Sequence, residues 1–124
     1  MKVIDSSGWL EFFTNGPLAD DYVAHLATPA EILTPTVVVY EMYKKIKREC
    51  AVEEALVVVA QLEKTRIIPL SASLALAAAD FSLAHKLAMA DAIVYATARA
   101  HFAQLFTSDS DFIGLPEVVY LKKN

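Results

Sequence analysis

The chain has 124 residues, 56% of them hydrophobic, and a formal net charge of -4 at pH 7. That suffices for one domain with a continuous core and is too little for two. The acidic balance excludes the general basic footprint of a protein that holds nucleic acid through phosphate contacts alone. The longest stretch free of Asp, Glu, Lys and Arg runs only from Ile67 to Ala79, with Pro69 inside it, so no membrane partner is expected. The N-terminus has no apolar run suited to a secretory signal, and the single cysteine, Cys50, has no partner for an intramolecular disulfide. Both readings point to a cytoplasmic protein.

Taken in chain order, Met1 to Ile4 reads as a short strand. Ser6-Ser7 then offers a cap for a helix carrying Trp9, Leu10, Phe12 and Phe13, which Asn15-Gly16-Pro17 stops. Leu18 to Ala27 reads as helix, Glu31 to Leu33 as a brief strand, and Thr34-Pro35-Thr36 as the opening of a helix reaching about Glu49. Val52 to Lys64 makes a further helix. The valine runs at 37–39 and 57–59 are assigned to buried helix, because their flanks are too long and too charged for strands. Arg66 to Leu70 reads as strand, Ser71 or Ser73 as a cap, and Leu74 to His85 as an alanine-rich helix. Ala90 to Phe102 is the next helix, and Gln104 to Thr107 and Val118 to Leu121 complete the strands. Alternating β and α elements predict a three-layer α/β/α domain around a mostly parallel sheet of four to five strands. No repeat, low-complexity tract or linker divides it.

Four acidic segments stand out: Val-Ile-Asp5-Ser-Ser, Tyr-Glu41-Met, Leu-Ala-Met-Ala-Asp91-Ala and Phe-Thr-Ser-Asp109-Ser-Asp111-Phe. Most fall at strand ends or helix starts, which a parallel sheet gathers along one edge. Setting aside Asp5, Glu41, Asp91 and Asp109 takes the net charge from -4 to about zero. Each acid also has an ordinary explanation. Asp5 suits a helix-start acceptor, and Glu41 stands three and four residues before Lys44 and Lys45, the spacing of a helical ion pair. Asp91 is harder to explain this way, because Val94, Tyr95, Ala98 and Phe102 share its helical face and a carboxylate there needs a partner. Asp109 and Asp111 follow a strand, and either can cap the short segment after it. Gathered together, these oxygens suit a hard divalent cation, Mg²⁺ or Mn²⁺. Such an ion neutralises a scissile phosphate and acidifies a water, so no general-base histidine is required.

The same segments carry a resemblance. Val-Ile-Asp5-Ser-Ser, Glu41 in its helix, His85 to Ala98 around Asp91, and Phe106-Thr107-Ser108-Asp109-Ser110-Asp111-Phe112 resemble the PIN-domain family, and within it the VapC-type toxins of toxin-antitoxin pairs. Residues 15 to 34 and 50 to 80 match in pattern only. Met89-Ala90 stands where members of that family often have a proline before the third acid. The resemblance implies a PIN-like fold and a Mg²⁺- or Mn²⁺-dependent endoribonuclease with Asp5, Glu41, Asp91 and Asp109 as catalytic metal ligands and Asp111 as an additional one. It also implies a cognate small antitoxin that reaches operator DNA through its own domain.

Other residues are secondary candidates. Lys44, Lys45, Lys47 and Arg48 are placed to guide an RNA backbone, or simply to form a solvated helix face. Ser6 and Thr107 are placed to hydrogen-bond ligand carboxylates. His25, His85 and His101 lack ligand spacing, Asp80 reads as exposed, and Trp9, Phe12 and Phe13 read as core or interface rather than a base-stacking platform. The apolar content predicts surface patches of the kind that mark interfaces, hence a homodimer. A competing reading is a catalytically silent PIN-fold module that binds RNA or protein. A third, a doubly wound phosphoacceptor or phosphatase, lacks paired acids after the first strand, where Asp5 is followed by Ser6-Ser7.

Overall fold

The structure, a computed structural model, describes residues 1–123. Its middle strand is β1 (Lys2–Ile4), flanked by β2 (Ile32–Pro35) and β4 (Gln104–Thr107), with β3 (Arg66–Ile68) and β5 (Val118–Tyr120) at the edges. Every pairing is parallel, with Val3 opposite Leu33 on one side and Leu105 on the other. Consecutive residues Val3 and Ile4 are both fully buried, as are Ile32 and Leu105. A strand sealed on both faces needs helices on both, which accounts for runs of apolar residues where a half-exposed strand would alternate.

Among the described residues six α-helices supply those layers: α1 (Ser6–Phe13), α2 (Ala19–Leu26), α3 (Thr36–Glu49), α4 (Val52–Leu62), α5 (Ala72–His85) and α6 (Met89–Ala100). Both valine runs are helical, Val37 to Val39 in α3 and Val57 to Val59 in α4. Packing overrides their strand propensity there, as Val38 and Val58 turn into the core. Gly8 allows α1 to meet α2, because a Cβ at that position would stand 2.5 Å from the Tyr22 ring.

Several sequence-based boundaries shift. Asp5, rather than Ser6 or Ser7, caps α1: its backbone is extended and its carboxylate accepts the Gly8 N–H. Glu31 belongs to a one-turn 3₁₀ helix (Pro29–Glu31), and β2 runs on to Pro35, whose extended backbone starts α3 at Thr36. β3 stops at Ile68, before Pro69, and Ser71 rather than Ser73 caps α5 by accepting the Leu74 N–H. α6 ends at Ala100, so Phe102 leaves the stripe it was expected to share with Asp91. Phe102 is 97% exposed with φ 53°, while Val94, Tyr95 and Ala98 are buried as expected. Trp9 is buried and stacked on Phe13, which makes it core.

Candidate functional site

In a sheet of order β3-β2-β1-β4-β5 the connections reverse direction between β1 and β4, and the crevice beyond their carboxyl ends is where such folds hold ligands. Asp5 leaves β1 at that point and Thr107 ends β4 beside it. Three hydroxyl and amide contacts fix the Asp5 carboxylate. Oδ1 accepts from Ser7 Oγ at 2.6 Å and from the Gly8 N–H at 3.4 Å, while Oδ2 accepts from Thr107 Oγ1 at 2.9 Å. The same hydroxyls hold the loop after β4: Ser7 Oγ accepts the Ser108 N–H and Thr107 Oγ1 accepts the Asp109 N–H, each at 2.9 Å. Tyr22 closes the arrangement from α2 through a 2.8 Å bond between its hydroxyl and that of Ser108.

Asp109 caps the one-turn 3₁₀ helix Ser110–Phe112 by accepting the Asp111 N–H at 2.9 Å. Opposite lies the first turn of α6, where no side chain caps the helix and Asp91 profits from the positive end of the dipole. Carboxylate oxygens of Asp91, Asp109 and Asp111 come within 4.8 Å of one another. Glu41, in the second turn of α3, is half-buried with the Ser6 hydroxyl beside it.

The electrostatics follow from this crowding. Burial is the main cause that lifts the Asp5 pKa to about 6, against the lowering effect of Ser7, Thr107 and Gly8, and the charge of Asp109 adds to the rise. Asp91 is pushed up to about 7, first by burial and then by Asp109, Asp5, Asp111 and Glu41. Glu41 is raised by burial and by Asp5 and Asp109, with Ser6 pulling the other way. No basic side chain is among the causes that shift Asp5, Glu41 and Asp91, and among the described residues none of the five acids forms an ion pair. A cluster of carboxylate oxygens with no cationic partner has the chemistry a hard divalent cation requires.

The structure therefore draws Asp5, Glu41, Asp91, Asp109 and Asp111 into one electrostatic neighbourhood, with the tightest grouping at Asp91, Asp109 and Asp111. Thr107 supports Asp5 as expected. Ser6 supports Glu41, and Ser7, which the sequence reading passed over for this role, supports Asp5. The spacing Asp-x-Ser was its signal, because a short hydroxyl two residues on can fold back onto a capping carboxylate. Ser108 and Tyr22 had no local signal. On α3, Lys45 and Arg48 meet Glu49 at 3.1 and 3.7 Å instead of Glu41, and Lys44 and Lys47 lie over the rings of Tyr40 and Tyr43. The three histidines stay outside the site: His25 packs on Phe106, His85 is exposed, and His101 bonds the Thr97 carbonyl. Asp80 is exposed.

A doubly flanked parallel sheet with acids gathered at its switch point defines a class of α/β proteins whose ligand crevice lies at the carboxyl edge. The chain belongs to the PIN domain family, whose model matches residues 2–118. Among solved structures, it is similar to a toxin-antitoxin complex from Klebsiella pneumoniae, at 23% identity and a TM-score of 0.83 over 99% of this chain and 100% of that one. The sarcin-ricin loop cleaving toxin VapC20 of Mycobacterium tuberculosis is similar at 19% identity and a TM-score of 0.80, again over 99% and 100%. VapBC2 of Rickettsia felis, solved on a DNA fragment from its promoter, is similar at 15% identity and a TM-score of 0.75 over 98% and 97%. No match to a curated protein was found. No helix among the described residues is long and apolar enough to cross a membrane.

Proposed function

We propose that the chain is a metal-dependent endoribonuclease, the toxin of a VapBC-type toxin-antitoxin pair, built as one nuclease domain over residues 1–124. The observation that carries this reading is the Asp91, Asp109, Asp111 oxygen cluster beside a hydrogen-bonded Asp5 at the switch point of a PIN fold. Asp5, Glu41, Asp91 and Asp109, with Asp111 at the exposed rim, would hold Mg²⁺ or Mn²⁺. A divalent ion there supplies charge neutralisation at the scissile phosphate and acidifies a water. Ser7 and Thr107 keep both Asp5 oxygens aimed, and Ser6 steadies Glu41. Lys44, Lys45 and Arg48 carry positive charge from Glu41 outward along α3, where an RNA backbone needs it.

The neighbours named as toxin-antitoxin and VapBC assemblies support an antitoxin partner, which would bring operator DNA through its own domain. Leu76 and Leu83, exposed on α5, support a homodimer. The test is cleavage of labelled RNA by purified protein: Mn²⁺ or Mg²⁺ should switch it on and EDTA should switch it off. Binding without cleavage under every divalent ion tried would instead favour a silent PIN-fold module.

A further inference from the structure

Beside Glu41 lies a hollow of about 240 Å³ lined by Ser6, Leu10, Tyr40, Glu41, Lys44, Lys45 and Arg48. Its chemistry differs from that of the acidic crevice it adjoins. Tyr40 is 61% exposed, more than an aromatic ring requires if it serves only the core. Lys44 Nζ stands 5.4 Å from the centre of that ring and 3.4 Å from its hydroxyl. Lys45 and Arg48 both reach for one carboxylate, Glu49, at 3.1 and 3.7 Å, and Lys44 meets none among the described residues, so the three cations outnumber the two anions Glu41 and Glu49. That leaves a flat exposed π-surface, a surplus of positive charge and a shared wall with a proposed metal ligand. Few ligands ask for all three. A nucleotide does: its base stacks on an aromatic ring and its phosphate seeks Lys and Arg.

We propose that Tyr40, Lys44 and Arg48 form a nucleotide subsite that selects an unpaired base next to the scissile phosphate. The subsite rests on the nuclease reading and adds to it a specificity-determining residue, Tyr40, and a substrate form. A base stacked on Tyr40 must have left its own helix, so a strand continuing to Glu41 enters the crevice single-stranded. Lys44, held over one face of the ring, leaves the other face for the base and supplies the cation nearest to it.

The experiment measures binding of a 5′-labelled single-stranded oligoribonucleotide by fluorescence anisotropy, in the full chain carrying Asp91→Asn so that cleavage does not intervene. Tyr40→Ala should weaken binding at least about fivefold and Tyr40→Phe should stay within about twofold, because the ring is what stacks. With an abasic site moved along the RNA, the Tyr40→Ala penalty should disappear at one position only, the signature of a coupled pair. Lys44→Gln should reduce the salt slope by about one phosphate contact. An unchanged affinity in Tyr40→Ala, or a penalty indifferent to where the abasic site lies, overturns the subsite. So does equal Tyr40-dependence for a poly-glutamate peptide, which would make the hollow a site for acidic protein. Wild-type protein that cleaves no RNA while Tyr40-dependent binding persists would remove the nuclease reading and leave the subsite standing.

Discussion

The two sides of the acidic crevice are built in opposite ways. On one side Asp5 is 4% exposed, both its oxygens are engaged, and the residues that engage them also pin the loop after β4. On the other, Asp111 is exposed at the rim of a single 3₁₀ turn, with Asp109 partly exposed beside it. A buried acid held by hydroxyls is a fixed reference point; acids at a rim can adjust to whatever they bind. The pairing suits a site that must place a cation to within fractions of an ångström and still admit a bulky phosphate.

The largest effect expected from breaking this contrast comes from its buried side. Asp5→Asn or Asp91→Asn should lower Mn²⁺-dependent RNA cleavage by more than about 100-fold, since the supporting partners of ligands alone carry about 10- to 100-fold. Asp111→Asn should cost about tenfold or less, and rates for the three variants measured side by side decide the order. Next comes the support itself. Thr107→Val removes one Asp5 contact and the acceptor of the Asp109 N–H, and should lower Mn²⁺ affinity about 10- to 100-fold by calorimetric titration. Ser7→Ala should do the same, whereas Ser6→Ala should act through Glu41 and cost less.

Protons offer a third way to sharpen the comparison. Asp5 and Asp91, at about 6 and about 7, keep protons in the folded chain that an ordinary aspartate, at 3.8, has already lost. The folded state therefore binds more protons than the unfolded one between about pH 4 and pH 7. Stability of the chelator-treated protein should fall as the pH rises through that window. Mg²⁺ or Mn²⁺ bound there would displace those protons, and the thermal midpoint should then stop falling with pH. A midpoint that rises through the window without metal would sink the claim that these acids resist ionisation. The smallest effect lies outside the crevice. Glu11 is buried, with its carboxyl held below the ordinary value although burial alone raises it, by the Lys123 ammonium at 2.7 Å and the Leu18 N–H. Lys123→Ala should lower stability by about 1 kcal/mol, read from chemical denaturation, and leave metal affinity unchanged.

Most of the framework was legible in the sequence because it obeys local rules. Val3 and Ile4 read as strand and Ala90 onward as helix, and the acids at their ends fall together once the strands are parallel. Phe102 was misplaced because helical spacing carries no information about where a helix stops, and α6 ends two residues short of it. Ser6 and Ser7 both follow Asp5 in sequence, and only the wound first turn of α1 turns Ser7 toward Asp5 and Ser6 toward Glu41. Tyr22 and Ser108 were out of reach altogether: their bond joins residues 86 apart. The ordinary explanation of Glu41, an ion pair with Lys44 or Lys45, fails because Glu49 offers Lys45 an equal i,i+4 spacing and takes it, while Lys44 lies over Tyr40.

The bond from Thr107 to Asp5 spans 102 positions of the chain. During synthesis, at roughly 5 to 20 residues per second, Asp5 waits about 5 to 20 s for the partner that sets its geometry. The strands β4 and β5 that complete the sheet arrive in the same late interval. A chain that has not yet reached Thr107 therefore carries its earlier acids without the arrangement that makes them a site.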